Sequence, residues 1–425
     1  LVSRGCHRWR RKVRRELRPF AFFTRAAPQR QRWAGSVSTQ QEETMMKQLI
    51  KKALVAASLL AAGLGSAWAD ITVGVIVPMT GPASGLGIPM SNGVKMWPAS
   101  VAGEKLNVMI LDDATDPTKG TQNARRFVTE NKVDLLVGSG ATPVGIAVAA
   151  VALESKTPQL ALSPIGLPPG QDAWSFRMPQ SNGVMANAMV NHMVKNGVKS
   201  VGFIGYTDAY GELWLQALLP LLEKAGIRLL ATERFARADT SVTAQALKIA
   251  AANPDAVIVV ASGSGAAMPQ LGVIERGYKG KFYQTHAAAT RDLMRVGGKA
   301  VEGTFVTAGP VVVAEQLPDS HPSKALGMRF NAEYEKIHGA GSRNQFAAHS
   351  FDVYLLLERV VPVAMKKAKP GTPEFRAALK EALESTPALA VTHGVLDFKP
   401  DDHWGYRPDT GVIMKVVNGD WKLEN

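Results

Sequence analysis

Short apolar runs alternate with longer mixed stretches along most of the 425-residue chain. The runs are ITVGVIVPM (71–79), LNVMILDD (106–113), VDLLVGS (133–139), PQLALSP (158–164), SVGFIGY (200–206), DAVIVVAS (255–262) and EGTFVTAG (302–309). Each is almost uniformly apolar and runs into Gly, Ser, Pro or Asp. Continuous apolar segments of this length predict strands buried on both faces, as in parallel sheets. The stretches between them, including 117–131, 143–156, 211–225, 240–252 and 323–338, read as helices. Asp116 before Pro117 predicts an N-cap followed by proline at the first helical position. Asp239 or Thr240 is expected to cap the helix over 240–252, Gly226 and Pro254 mark helix ends, and Pro220 predicts a kink.

Strand–helix alternation over this length predicts an α/β chain with mostly parallel sheets. Ligands in such folds bind beyond the C-terminal ends of the strands. Those ends are TGPASG (80–85), GSGAT (138–142), SPIGLPP (163–169), YTDAYGE (206–212), SGSGAA (262–267) and THAAAT (285–290). Three fall in one half of the chain and three in the other, so a cleft between two lobes is expected. From about residue 395 the character changes to antiparallel hairpins, with Asp409-Thr410-Gly411 and Asn418-Gly419-Asp420 as turns.

The N-terminal part reads differently. KQLIKKALVAASLLAAGLGSAWAD (47–70) places Lys47, Lys51 and Lys52 ahead of an apolar run from Ala53 to about Gly65. That run is too short to span a bilayer, which needs ~20 residues. It suits the apolar region of a secretory signal, and Ala67-Trp68-Ala69 puts cleavage between Ala69 and Asp70. Residues 45–69 are therefore expected to be a signal peptide, against the alternative of a buried Ala-rich helix. Residues 1–44 hold eleven Lys or Arg against three Asp or Glu, open on Leu1, and end just before Met45 and Met46. They are expected to lie upstream of the true translation start; the alternative is a basic arm for nucleic acid or anionic lipid.

Eleven of the thirteen net positive charges precede Ala69, leaving +2 on residues 70–425. The basic balance thus gives no reason to expect a nucleic-acid partner. The single cysteine, Cys6, lies in the leader, which excludes a disulfide framework or thiolate metal site from 70–425. Asp70 stands where a lipoprotein would need cysteine. With no second long apolar run, the mature protein is expected in the periplasm and not embedded in the membrane.

Patterns for catalysis are missing. The sequence has no phosphate-binding G-x-x-x-x-G-K-[ST], no G-x-S-x-G elbow, no H-E-x-x-H, and no ligand-spaced pair among its eight histidines. GSG at 138–140 and 263–265 does not extend to a dinucleotide fingerprint. Asp112-Asp113 reads either as a metal pair or as a loop anchor. No cofactor, metal or enzymatic activity is expected; the pattern points to binding.

In this order and at these spacings, ITVGVIVPMTGPASGLG, ILDDATDP, LLVGSGATPVGIAVAAVALESKTPQLALSP, YTDAYGELW, DTSVTAQALKIAAANPDAVIVV and GPVVVAEQLPDSHP resemble segments of the Leu/Ile/Val-binding family of periplasmic substrate-binding proteins. These serve ABC importers of the branched-chain amino acid type. The resemblance covers nearly all of 70–425. It implies two Rossmann-like lobes joined by three crossovers, with a ligand cleft between them. It places the N-terminal lobe at 70–180 plus 310–390 and the C-terminal lobe at 181–309 plus 391–425.

The resemblance also implies ligand-binding positions. Ser84 lies in the first ligand loop. Thr142 falls where a hydroxyl at a helix start holds the ligand carboxylate, and free first-turn amides favour an anion there; a plain N-cap is the alternative. Ile165, Gly166 and Leu167 follow Ser163-Pro164, with Leu167 where the family often has a hydroxyl. Tyr210 matches the ring that covers the ligand, and Ser264 lies in a second-lobe loop. His286 stands near the position where amino-acid binders place a carboxylate for the ammonium group. A branched-chain or other amino acid and an acid without an ammonium therefore both stay open. The implied role is a monomeric receptor passing a small carboxylate to an ABC permease and ATPase. An exported sensor of the same fold is the alternative.

Overall fold

The computed structural model describes residues 45–48, 50–52 and 70–424. Residues 45–48 and 50–52 are helical and exposed. The apolar part of the expected signal peptide, and Ala69, lie outside the described residues; Asp70 is exposed and leads directly into the first strand.

The first sheet contains β1 (Ile71–Val77), β2 (Ser100–Val101), β3 (Glu104–Asp112), β4 (Leu135–Gly138), β5 (Gln159–Ala161) and β6 (Ser175–Arg177), in the order β2-β3-β1-β4-β5-β6. All neighbours are parallel except the short β2–β3 pair. β1 pairs with β3 from Ile71 opposite Leu106 to Val77 opposite Asp112. Six of its seven residues are buried, as a central strand with covered faces requires.

The second sheet contains β7 (Ser200–Tyr206), β8 (Arg228–Phe235), β9 (Ala256–Val260), β10 (Lys281–Gln284) and β11 (Phe305–Ala308) as parallel neighbours. Beyond a small hairpin of β12 (Leu389–Val391) and β13 (Gly394–Leu396), the chain adds β14 (Val412–Val417) and β15 (Asp420–Glu424) antiparallel to the β11 edge. The full order is β15-β14-β11-β10-β9-β7-β8. Leaving aside the two-residue β2, both sheets therefore repeat one winding: the first strand sits between the next two, β1 between β3 and β4, and β7 between β8 and β9. That reversal creates a crevice at the strand ends, on β1/β4 in one lobe and β7/β9 in the other.

The expected α/β class with mostly parallel sheets in two lobes is the observed one. The buried strands were the readable ones. β8 was not, because it is the outer strand of its sheet and has a broken burial pattern, with Arg228, Glu233 and Arg234 among its residues. Asn418-Gly419 does turn the β14–β15 hairpin, with both residues at positive φ. Asp409–Gly411 does not close a hairpin: it leads into β14, whose other neighbour is β11.

Caps follow side-chain chemistry. Asp116 accepts from Thr118 N (2.7 Å) and Lys119 N (3.3 Å), with Pro117 opening the helix Pro117–Thr129. The helix expected from 240 begins later, as Thr243–Ala252 with Val242 at the N-cap position. Asp239 instead accepts from Ala236 N, closing the preceding turn. Pro220 sits within the continuous helix Ala209–Lys224.

Of the span 310–390, the helix Lys324–His338 buries Phe330 and Tyr334 in the core under the second sheet. The helix Pro373–Ser385 buries Phe375 and Leu379 under the first. Between them, the long helix Gln345–Met365 serves both cores. Ala347, Ala348 and Phe351 join the second, while Val353, Leu356, Leu357 and Val360 join the first. It crosses the helix Ser84–Val94 so closely that a side chain on Gly93 would sit 2.2 Å from Ala347 O.

Candidate ligand cleft

The crevices of the two sheets meet in one cavity. From the first lobe come Leu86, Gly140, Thr142, Leu162, Ser163, Pro164 and Pro179. From the second come Tyr210, Arg237, Ser262, His286 and Ala287, and the long shared helix adds Phe346 and His349.

The first-lobe wall is fixed by a buried carboxylate. Asp113 accepts from Ser139 Oγ (2.7 Å) and Thr115 N (2.8 Å), and Ser139 O in turn accepts from Ser163 Oγ (2.8 Å). Burial pushes the Asp113 carboxyl up to about 6. Asp112 holds the neighbouring loop through Thr80 N and Thr80 Oγ1 (2.6 Å). The aspartate pair thus anchors loops, the second of its two readings, and no metal-ligating group of three or more side chains occurs among the described residues. Gly138 ends β4 at φ +112°, and a Cβ there would lie 1.9 Å from Ile76 O, so only glycine lets the chain turn to Thr142 at this point.

Thr142 is the first residue of the helix Thr142–Ser155, and Ala141 occupies the cap position. The plain N-cap alternative for Thr142 therefore falls. Its side chain is 1% exposed, lines the cavity, and its Oγ1 has no hydrogen-bond partner.

On the second lobe, Asp208 caps the helix Ala209–Lys224 through Tyr210 N (2.9 Å) and Gly211 N. Gly211 is needed because a Cβ there would meet Tyr206 O at 1.8 Å. This close approach presents Tyr210, which bonds Thr285 Oγ1 through its hydroxyl (2.7 Å) and sets its ring edge-on to His286. Burial pushes the Tyr210 hydroxyl well above its ordinary pKa. Arg237 pairs with the Asp208 carboxylate, donates to Ser262 Oγ (3.1 Å), and lies 4.2 Å from the centre of the Tyr206 ring.

Three of the residues singled out in the sequence, Thr142, Tyr210 and His286, line this cavity. The others do not. Ser84 opens the helix Ser84–Val94, while its neighbour Leu86 reaches the cavity. Ile165 is fully buried beneath Gly145, packed with Ala149 and Ala161; Leu167 packs against the same cluster. Gly166 faces Leu213 in a second cavity. Ser264 is exposed, and Ser262 two residues earlier takes the lining position. The sequence reading did not pick out Arg237, Phe346 or His349, which lie outside its ligand loops.

No aspartate or glutamate lines the cavity. Its cation, Arg237, is already balanced by Asp208. Burial holds His286 at about 3 and His349 well below the ordinary imidazole range, so both are neutral. The cavity offers an unpartnered hydroxyl at a helix start, neutral imidazoles and apolar walls. Among its lining residues no nucleophile is paired with a base.

The periplasmic binding protein family model matches residues 70–420. Leu/Ile/Val-binding protein homolog 1 of Brucella suis biovar 1 (strain 1330) is 25% identical over 355 residues, covering 79% of this chain and 89% of that protein. An extracellular ligand-binding receptor from Rhodopseudomonas palustris HaA2 has 46% identity and a TM-score of 0.82, covering 84% of this chain and 100% of that one. A solute-binding protein of an ABC transporter from R. palustris, solved with benzoate, shares the fold at 17% identity, with a TM-score of 0.70 over 84% of this chain and 95% of that one. These relatives are ligand-binding receptors, not enzymes. The chain belongs to the type I periplasmic binding proteins of the Leu/Ile/Val-binding family.

Proposed function

We propose that this protein is an exported receptor that captures a small carboxylate without an ammonium group and delivers it to the permease and ATPase of an ABC importer. One observation carries the choice of ligand: no carboxylate side chain lines the cleft. An ammonium closed into such a site would lose its hydration without a counter-charge, which is costly. A neutral imidazole offers only a weaker uncharged acceptor. The ligand carboxylate fits the opposite end of the chemistry, the start of the helix Thr142–Ser155, where first-turn amides and the idle Thr142 hydroxyl favour an anion. The benzoate held by the R. palustris neighbour is a ligand of this class. Export through cleavage between Ala69 and Asp70 is part of the same reading, supported by the charge and residue pattern of 45–69.

A thermal-shift and calorimetric panel of leucine, valine, and aromatic and aliphatic monocarboxylates tests it. Ligands of the folded state raise the melting temperature by mass action. The acids are expected to shift it and leucine and valine are not; the reverse pattern removes the argument from the missing carboxylate. Thr142→Ala is expected to weaken acid binding by about 1–3 kcal/mol, as for a hydrogen bond to a charged group.

A further inference from the structure

A second cavity, of about 360 Å³, lies where the chain passes between the lobes; among the described residues Pro164 alone lines both it and the ligand cleft. Its walls come from four places. They are Pro164 after β5, Asn182 at the start of the helix Asn182–Lys195, Leu213 on the helix Ala209–Lys224, and Asp402, Trp404 and Tyr406 between β13 and β14. A cavity of this volume is within the range of small-molecule sites. Two of the side chains lining it are buried with a polar atom that nothing in the protein meets. Asn182 is 6% exposed and its Oδ1 accepts no hydrogen bond; Tyr406 is 8% exposed and its hydroxyl has no partner. Each such group is costly to bury unmet.

Charge narrows what fits. Asp402 is the one charged side chain among the lining residues, and its Oδ1 accepts from Trp404 N (2.9 Å) and Gly405 N (3.3 Å). An anion would face this carboxylate. A cation would meet the positive end of the helix Asn182–Lys195 and the buried guanidinium of Arg177, 5.0 Å from the centre of the Trp404 ring. A neutral ligand avoids both conflicts. It has to donate to Asn182 Oδ1 and to the Asp402 carboxylate, and to share a hydrogen bond with the Tyr406 hydroxyl, which donates or accepts. It also has to rest on the ring of Trp404 and the apolar walls of Leu213 and Pro164. Adjacent hydroxyls on a saturated ring satisfy all of these. The geometry points to a second ligand site at the lobe crossovers, distinct from the carboxylate cleft, that takes a neutral polyhydroxylated molecule of monosaccharide size. This goes beyond the carboxylate reading and does not depend on it.

The test is an NMR titration of the whole protein with D-glucose, D-galactose and N-acetyl-D-glucosamine, with cyclohexanol and butylammonium as controls. At least one sugar is expected to move the amide signals of Asn182 and Gly183 and the indole signal of Trp404 saturably, and the controls are not. Tyr406→Phe removes only the unpartnered hydroxyl. It is expected to weaken the sugar by about threefold to tenfold, with no fall in melting temperature and an unchanged response to leucine, valine and the monocarboxylates. Asp402→Asn keeps the oxygen that caps Trp404 N and is expected to weaken the sugar by about tenfold or more, as for a hydrogen bond to a charged group. No saturable shift with any of the three sugars overturns the site, as does a sugar affinity that survives both substitutions. Saturable binding of butylammonium at Asn182 and Trp404 instead overturns the neutral ligand. Each of these results leaves the carboxylate reading standing.

Discussion

A histidine kept neutral by burial leaves a signature in the pH dependence of stability. His286 in the folded protein takes up no proton until about pH 3, and His349 is held well below the ordinary range, while an unfolded imidazole protonates near pH ~6.5. Below that value the unfolded state binds more protons, so each group lowers stability by up to about 1.4 kcal/mol per unit as pH falls. Asp113 works in the other direction. Its folded carboxyl, pushed up to about 6 by burial, is protonated before its unfolded counterpart, so its contribution is present in acid and is lost as pH rises through about 6. A difference measurement separates the two. Between pH 7 and 5, urea unfolding of His349→Phe is expected to gain roughly 1–2 kcal/mol relative to the unsubstituted protein. A difference that does not change with pH would mean that His349 titrates alike in both states. At this scale the strand-end loops were readable but not which of their residues would face the cavity. Of the positions that the family resemblance implied, Thr142, Tyr210 and His286 line it, whereas Ser84, Ile165, Gly166, Leu167 and Ser264 in the same loops do not. Arg237 follows the edge strand β8, and His349 lies within an apolar helical run, where a histidine reads as packing.

Elements hold the site through contacts that sequence reports unevenly. Asp116 and Pro117 announced their helix because cap chemistry is local: one side chain, two amides, one turn. The close approach of Gly211 to Tyr206 O is a tertiary fact that the motif YTDAYGE does not report. The two cases separate by experiment. Asp116→Ala is expected to cost about 1 kcal/mol of stability with acid affinity unchanged, as measured by denaturation and calorimetry in parallel. Gly211→Val must push the helix Ala209–Lys224 away from β7, and is expected to weaken acid binding by more than its loss of stability accounts for. Equal affinity in Gly211→Val would show that Tyr210 does not need its present place. Strand reading followed the same divide. Strands buried on both faces carry a continuous apolar run, whereas β8 at an edge and the two-residue β2 carry none.

The whole molecule is two copies of one winding, read from two sets of loops that had to face each other. The sequence placed the cleft at those loops; it did not show that one helix would be built into both cores. Closure around a ligand should be visible in solution. Small-angle scattering is expected to give a smaller radius of gyration when a binding acid is added, and an unchanged radius would mean that the lobes already rest closed. The helix Gln345–Met365 gives that motion an axle. Its first two turns reach into both cores, through Phe346 in the first and Ala347, Ala348 and Phe351 in the second, its later turns pack mainly in the first, and its backbone rests on Gly93 at a distance that admits no side chain. Gly93 lies outside the cleft lining, yet a single methyl group added there must force this crossing apart. Gly93→Ala is therefore expected to shift the radius of gyration of the ligand-free protein while every residue lining the cleft keeps its identity, and small-angle scattering on the variant checks it.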